Sequence, residues 1–152
     1  PEGENKRVFK INNLIFEKKE NKIIIGAKKA RKTEKKMMNT IAAHIANMIR
    51  GVQKKFEYKL KICFSHFPFS VELKGREAII KNFLGEKVNR VCLLPEGIEV
   101  QIDKQNIFIT SVNKELAGQA AANFERVTKI RNRDQRIFQD GIYIINKDGK
   151  EI

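Results

Sequence analysis

The chain has no tryptophan, only two cysteines, two histidines and three prolines, and four of its 18 acidic residues are aspartates, Asp103, Asp134, Asp140 and Asp148. Each shortage narrows the chemistry. Cys63 and Cys92 stand alone inside apolar runs. Two isolated thiols do not make a zinc site, which takes four ligands. Both read as small core hydrophobes. A disulfide between them stays open, but no secretory pattern of basic head, apolar stretch and cleavage site is present, so a reducing, cytoplasmic setting is expected. No aspartate belongs to a paired-carboxylate or metal motif, and no glycine loop has the spacing that cradles a phosphate. Ser65 beside His66 is not a triad, because a triad is a spatial arrangement that adjacency does not supply. No run of about 18 apolar residues exists to span a membrane. No catalytic residue, cofactor or metal is therefore expected.

What is abundant is positive charge. The 152 residues carry 31 Lys/Arg against 18 Asp/Glu, a net charge of +13, with 41% hydrophobic residues to supply a core. The excess is uneven. Residues 1–56 hold 15 basic and 5 acidic side chains, net +10, and residues 57–152 hold 16 and 13, net +3. A field concentrated on part of a molecule points to an extended polyanion as partner. A merely solubilising surface is the alternative.

Two stretches have helical periodicity. Met38, Ile41, Ile45, Met48 and Val52 share one face of a helix from about Thr33 to Ile49, with Thr33 as N-cap and Gly51 as a left-handed terminator. Leu116, Ala120, Phe124 and Val127 line a second, from Lys114 to Val127, capped by Asn113. Strands are expected at Val8–Lys10, Leu14–Glu17, Lys22–Gly26, Phe56–Ser65, Phe69–Lys74, Ala78–Leu84, Asn89–Leu94, Ile98–Asp103, Asn106–Thr110 and Ile142–Ile145. A repeat runs through them. Leu14-Ile15-Phe16 and Ile23-Ile24-Ile25 before the first helix match Val100-Gln101-Ile102 and Ile107-Phe108-Ile109 before the second, the second strand of each pair being offset by 84 residues, Ile23 to Ile107. The reading is α+β: two tandem related domains, 1–55 and 56–152, each an antiparallel sheet packed against one helix. The first sheet is expected to be incomplete, or to lack preceding residues.

Two basic clusters are the candidate contacts. Lys28, Lys29, Arg31, Lys32 and Lys35, with Lys36, sit at the entrance of helix one, opposed only by Glu34. Cations there work against the helix macrodipole, which favours anions. Bound phosphates would explain them; a solvated loop is the alternative. Arg126, Lys129, Arg131, Arg133 and Arg136 follow helix two, opposed by Asp134. Arginine suits bidentate phosphate contact, and Asn132 can add hydrogen bonds to sugar or base edges. Favourable cations at a helix C-terminus would account for Arg126 and Lys129 but not for the run beyond. His66 is expected to be structural or to touch RNA. The phenylalanines mostly fall in apolar patterns and read as core, so shape and phosphate recognition of folded RNA fits better than single-strand reading.

The run Arg133-Asp-Gln-Arg136-Ile-Phe138-Gln-Asp140-Gly141-Ile142-Tyr143 resembles the signature of the universal large-subunit ribosomal protein six family, called protein nine in eukaryotes. Asn47-Met48-Ile49-Arg50-Gly51-Val52, Tyr58-Lys59, Ser65-His66-Phe67-Pro68 and Asn82-Phe83-Leu84-Gly85-Glu86-Lys87 follow the same family's order, and the last two blocks are eukaryotic in type. The similarity covers about residues 1–147. It implies two domains of related fold, the second the main rRNA-binding one. It also implies a place on the cytosolic large subunit near the stalk base and the sarcin–ricin loop, beside neighbouring ribosomal proteins and where translational GTPases dock. Arg133, Arg136 and Asp140–Tyr143 are then expected at or next to rRNA. The departures are missing first strands, a short basic loop without aromatics, Arg126 in place of a glutamine, and a compact stretch from Ile98 on.

An RNA- or DNA-binding regulator acting outside the ribosome fits the charge equally well and would sediment as a small particle. An enzyme on nucleic acid would need an acid–base pair or a metal beside the clusters. Should Gly141 hold a positive φ, an alanine there would destabilise the final turn.

Overall fold

Alternating β-branched residues separated by two-residue polar turns favour hairpins, and long amphipathic stretches favour helices that cover them. The computed structural model describes residues 3–9 and 14–152. Strands β1 (Ile15–Lys19) and β2 (Lys22–Gly26) lead into helix α1 (Lys32–Gln53). Next come β3 (Phe56–Cys63), β4 (Ser70–Lys74), β5 (Glu77–Lys81), a 3-10 turn at Phe83–Gly85 and β6 (Arg90–Leu93). The chain continues through β7 (Glu99–Asp103), β8 (Asn106–Ser111), helix α2 (Lys114–Val127), β9 (Gly141–Lys147) and the short β10 (Lys150–Glu151).

All pairing among the described residues is antiparallel, so the fold is α+β. The described residues form three sheets: the hairpin β1-β2, a five-stranded sheet in the order β10-β9-β3-β8-β7, and a three-stranded sheet β4-β5-β6. The stretch after α1 thus carries two sheets where the hydrophobic pattern alone suggested one. The division arises because β4 to β6 follow one another closely, through a two-residue turn and then an eight-residue connection, and pair only with each other, while β3 pairs with β8 and β9, far along the chain.

The hairpins preceding the two helices are alike. Each has a two-residue turn whose first residue is left-handed, Glu20 (φ 46°) and Lys104 (φ 51°), and the strand starts and turns are offset by 84 residues. Non-glycine residues enter this region rarely. A two-residue hairpin turn demands it, because its twist matches that of the flanking strands.

The core lies between α2 and the sheets. Phe56, Tyr58, Leu60 and Ile62 of β3, Ile107 and Ile109 of β8, Ile142 of β9 and Ala117, Ala120, Ala121 and Phe124 of α2 belong to it, and Ala78, Ile80, Phe83 and Cys92 extend it to the smaller sheet. Burial pushes the Cys92 thiol up to about 11, so at neutral pH it is an inert packing group. Both cysteines are free.

Helix α1 departs from expectation at both ends. Its N-cap is Arg31, whose N–H donates to the Glu34 carboxylate at 2.9 Å. Thr33 lies inside, its hydroxyl donating to the same carboxylate at 3.0 Å. Gly51 does not terminate the helix. It is buried within it, and a Cβ there would stand 2.0 Å from the Val112 carbonyl oxygen. Its role is to let α1 approach the β8–α2 connection closely. No strand forms over Val8 and Phe9, and Lys10 lies outside the described residues. Instead, Arg7 ion-pairs with Glu115 of α2, which also holds His44 of α1 at 3.0 Å. That carboxylate ties the leading segment to both helices.

Candidate nucleic-acid interface

The segment after α2 is built around one aspartate. Asp140 is fully buried just before β9. Its carboxylate accepts from the Ser65 N–H, the His66 N–H (3.2 Å), the Ser65 hydroxyl (3.4 Å) and the His66 ring at Nδ1 (2.9 Å). Burial pushes its pKa up, but these hydrogen bonds outweigh burial and hold the carboxyl below its ordinary value. An ionised carboxylate accepts only, which assigns the ring proton of His66 to Nδ1. The 65–68 loop and the 133–141 segment, 75 residues apart, are thereby locked together.

That lock shapes a surface. The His66 ring stacks on Phe138, with centroids 4.7 Å apart. The Arg133 guanidinium lies 4.8 Å from the centroid of the same phenyl ring, within cation–π range. Serine, histidine and aspartate do meet here, but not as a catalytic relay. Ser65 Oγ and Asp140 Oδ2 both contact Nδ1 of His66, at 3.0 and 2.9 Å. A relay needs the hydroxyl on the opposite ring nitrogen.

The same segment is fastened to the sheet. Since β10 pairs only with the far end of β9, the N–H groups of Ile142 and Ile144 turn to α2. They donate to the Thr128 hydroxyl at 3.0 Å and to the Glu125 carboxylate at 2.9 Å. Arg90 closes the other side. Its guanidinium donates to the carbonyls of Val127 (2.7 Å) and Lys129 (3.3 Å), pairs with Glu86, and sits 4.3 Å from the centroid of the Phe83 ring. It thereby satisfies carbonyls at the negative end of α2.

Arg126, Lys129, Arg131, Asn132, Arg133 and Arg136 are all exposed along this frame. Asn132 is left-handed, with φ 58°. No carboxylate among the described residues lies within ion-pair distance of Arg126, Lys129, Arg131 or Arg133. Arg136 differs: its guanidinium makes a two-pronged contact with Asp134, at 3.1 and 2.9 Å. Tyr143 is exposed, and its hydroxyl donates to the Gln139 carbonyl at 3.2 Å. Gly141 is not left-handed. The Tyr143 ring passes so close that a Cβ would meet it at 3.1 Å, which replaces the turn argument with a packing one.

Lys28, Lys29, Arg31, Lys32 and Lys35 are likewise exposed around the start of α1. None of the four lysines has an ion-pair partner among the described residues. Hydrogen bonds with its own backbone, the Thr33 hydroxyl and the Arg31 N–H hold Glu34 below its ordinary pKa. Sequence reasoning had no means of finding Arg90, which sits alone in an apolar run. It noted Asp140 only as part of a signature, and the Arg133–Phe138–His66 stack joins residues that no spacing rule connects. Among the described residues no cluster of His, Cys, Asp or Glu is placed to hold a metal ion, and no helix is long and apolar enough to cross a membrane.

The profile of the family described as Ribosomal protein L6 matches residues 67–141, which include the His/Phe/Arg stack except for His66 itself. Large ribosomal subunit protein uL6 of Methanococcus vannielii is 43% identical over 145 residues, covering 95% of this chain and 80% of that protein. Its namesake in Archaeoglobus fulgidus is 42% identical over 147 residues, covering 97% and 75%. That of Staphylothermus marinus is 44% identical over 148 residues, covering 95% and 80%. With identity at this level across nearly its whole length, the chain belongs to the ribosomal protein L6 family.

Proposed function

We propose that this protein is a structural constituent of the large ribosomal subunit that binds rRNA by neutralising phosphates with its two basic clusters. It is a non-enzymatic protein of translation, as its family is. The observation that carries the RNA-binding reading is the run of exposed cations without ion-pair partners, Arg126, Lys129, Arg131 and Arg133, on a segment fastened by Asp140, Thr128 and Arg90. A backbone segment already held in place need not be ordered on meeting phosphates, and neutralised charge recovers the repulsion of the free protein. Lys28, Lys29, Arg31, Lys32 and Lys35 form a second contact. His66, Asn132, Arg136 and Tyr143 supply hydrogen bonds and ring surface between them.

The protein has two domains of related fold, 1–55 and 56–152, with the second as the principal RNA-binding one; the matched hairpin–helix units support this reading. The site on the cytosolic subunit is near the stalk base and the sarcin–ricin region, beside neighbouring ribosomal proteins and close to docking translational GTPases. Family resemblance supports this location. The test is binding to purified archaeal large-subunit rRNA across a salt series. Five or more phosphate contacts give a log–log slope of several units, on a scale of about −0.7 to −0.9 per contact. Salt-insensitive binding contradicts the proposal.

A further inference from the structure

Two recesses adjoin at the end of α2. The first is a groove of about 630 Å³ between α2 and the segment leading into β9. Phe138, Gly141 and Tyr143 line it together with Ala122 and Ile130, and the amides of Gln119 and Gln135 stand among them, while that of Asn123 is committed, accepting from Gln119 at 2.8 Å and donating to the Leu93 carbonyl at 3.0 Å. The second, of about 430 Å³, is lined by Arg90, Arg126, Val127, Lys129 and Arg131. Arg126 and Lys129 border both. One recess is therefore ring-bearing and amide-lined, and its neighbour is cationic.

We propose that the pair takes a single nucleotide unit of RNA, the base turned out of its stack into the groove and the phosphate seated among Arg126, Lys129 and Arg131. This rests on the RNA-binding reading above. The chemistry matches at each half. A base needs flat apolar or aromatic walls for its faces and amides for its edge, which is how unstacked bases of folded RNA are held. The far end of the Tyr143 ring passes over Gly141, where a Cβ would meet it at 3.1 Å, and both residues line the groove. A phosphate beside a helix C-terminus would ordinarily be repelled by its carbonyls. Here Arg90 already occupies the Val127 and Lys129 carbonyls, so the cations beside it meet the phosphate without that penalty. Glu125 also lines the groove, but its carboxylate is committed to the Ile144 N–H.

The groove can be filled without touching a cation. Ala122 is exposed on α2, so Ala122→Trp is expected to leave the thermal melt unchanged. Its affinity for archaeal large-subunit rRNA is expected to fall about tenfold, as for the loss of one base stack, with the salt slope unaltered. Arg126→Ala with Arg131→Ala is expected to flatten the slope. Wild-type binding with a steep slope but equal affinity for Ala122→Trp overturns the base site alone. Absence of salt-dependent binding by the wild type overturns the functional reading itself. Amide NMR titrations of the wild type separate the halves and the source of the ligand. Adenosine 5′-monophosphate is expected to move Ala122, Gly141 and Tyr143 together with Lys129 and Arg131, weakly compared with RNA. Inorganic phosphate is expected to move Lys129 and Arg131 only. If the mononucleotide moves no more than phosphate does, the site is a bare anion site and the proposal fails.

Discussion

The stretch from β1 through α1 and the stretch from β7 through α2 have the same local design, yet only one of them forms a core. Both are hairpins with left-handed first turn residues followed by an amphipathic helix. On α2, Ala117, Ala120, Ala121 and Phe124 are completely buried, whereas α1 buries only Ile41 and Gly51. Every residue of β1 is exposed, while β8 alternates buried and half-buried. The difference is what covers them. β8 pairs with β3, which pairs with β9, and α2 lies across all three. Among the described residues, β1 and β2 pair only with each other. Local pattern makes a hairpin and a helix; distant strands make them stable. Charge divides the other way, with net +10 in residues 1–56 against +3 beyond. The better-packed region thus holds its fewer excess cations in fixed positions.

The comparison breaks most readily at the helices. Phe124→Ala is expected to cost about 3–5 kcal/mol in urea denaturation, whereas Ile49→Ala, on the exposed flank of α1, should stay within about 0.5 kcal/mol. Equal losses would show that α1 is as well covered as α2. Asp140→Asn comes next, at about 2–4 kcal/mol, since it removes a buried charge that accepts four hydrogen bonds. Its pH dependence has a definite sign. The folded pKa lies below the unfolded value of about 3.9, so the stabilisation is complete above that value and is lost as pH falls through the folded one. The gap in melting temperature between wild type and Asp140→Asn is expected to narrow below about pH 4; a gap that widens there contradicts the hydrogen-bonded carboxylate.

Gly51→Ala sharpens the contact between the two regions. Its Cβ would collide with backbone at Val112, and overpacking of this kind costs about 1–3 kcal/mol, partly offset by helix propensity. Gly141→Ala meets only the far end of the Tyr143 ring, which can swing away, so less than about 1 kcal/mol is expected. Loss of the Tyr143–Gln139 hydrogen bond would accompany it, visible as a shift in tyrosine fluorescence. Reversal of the order of these two variants would mean that α1 is free to retreat from β8.

Much of this was legible in the residues. The α2 boundaries, the Asn113 cap, the β2 limits and the 84-residue repeat all arise from local periodicity and turn chemistry, which act over a few residues. Gly51 misled because a helix-ending glycine and a close-packing glycine look alike until the neighbouring carbonyl is placed. The separate three-stranded sheet was missed because alternation does not name a strand's partner. At the candidate interface, the exposed cations were readable as a charge run. Their fastening was not, since Asp140 with Ser65 and His66, or Arg90 with Val127, depends on contacts between residues far apart in the chain.

The most direct test is an electron cryo-microscopy map of a large subunit carrying this chain. Arg126, Lys129, Arg131 and Arg133 are expected within hydrogen-bonding distance of rRNA phosphates or bases. A map in which all four face bulk solvent, away from any nucleotide, would contradict the account.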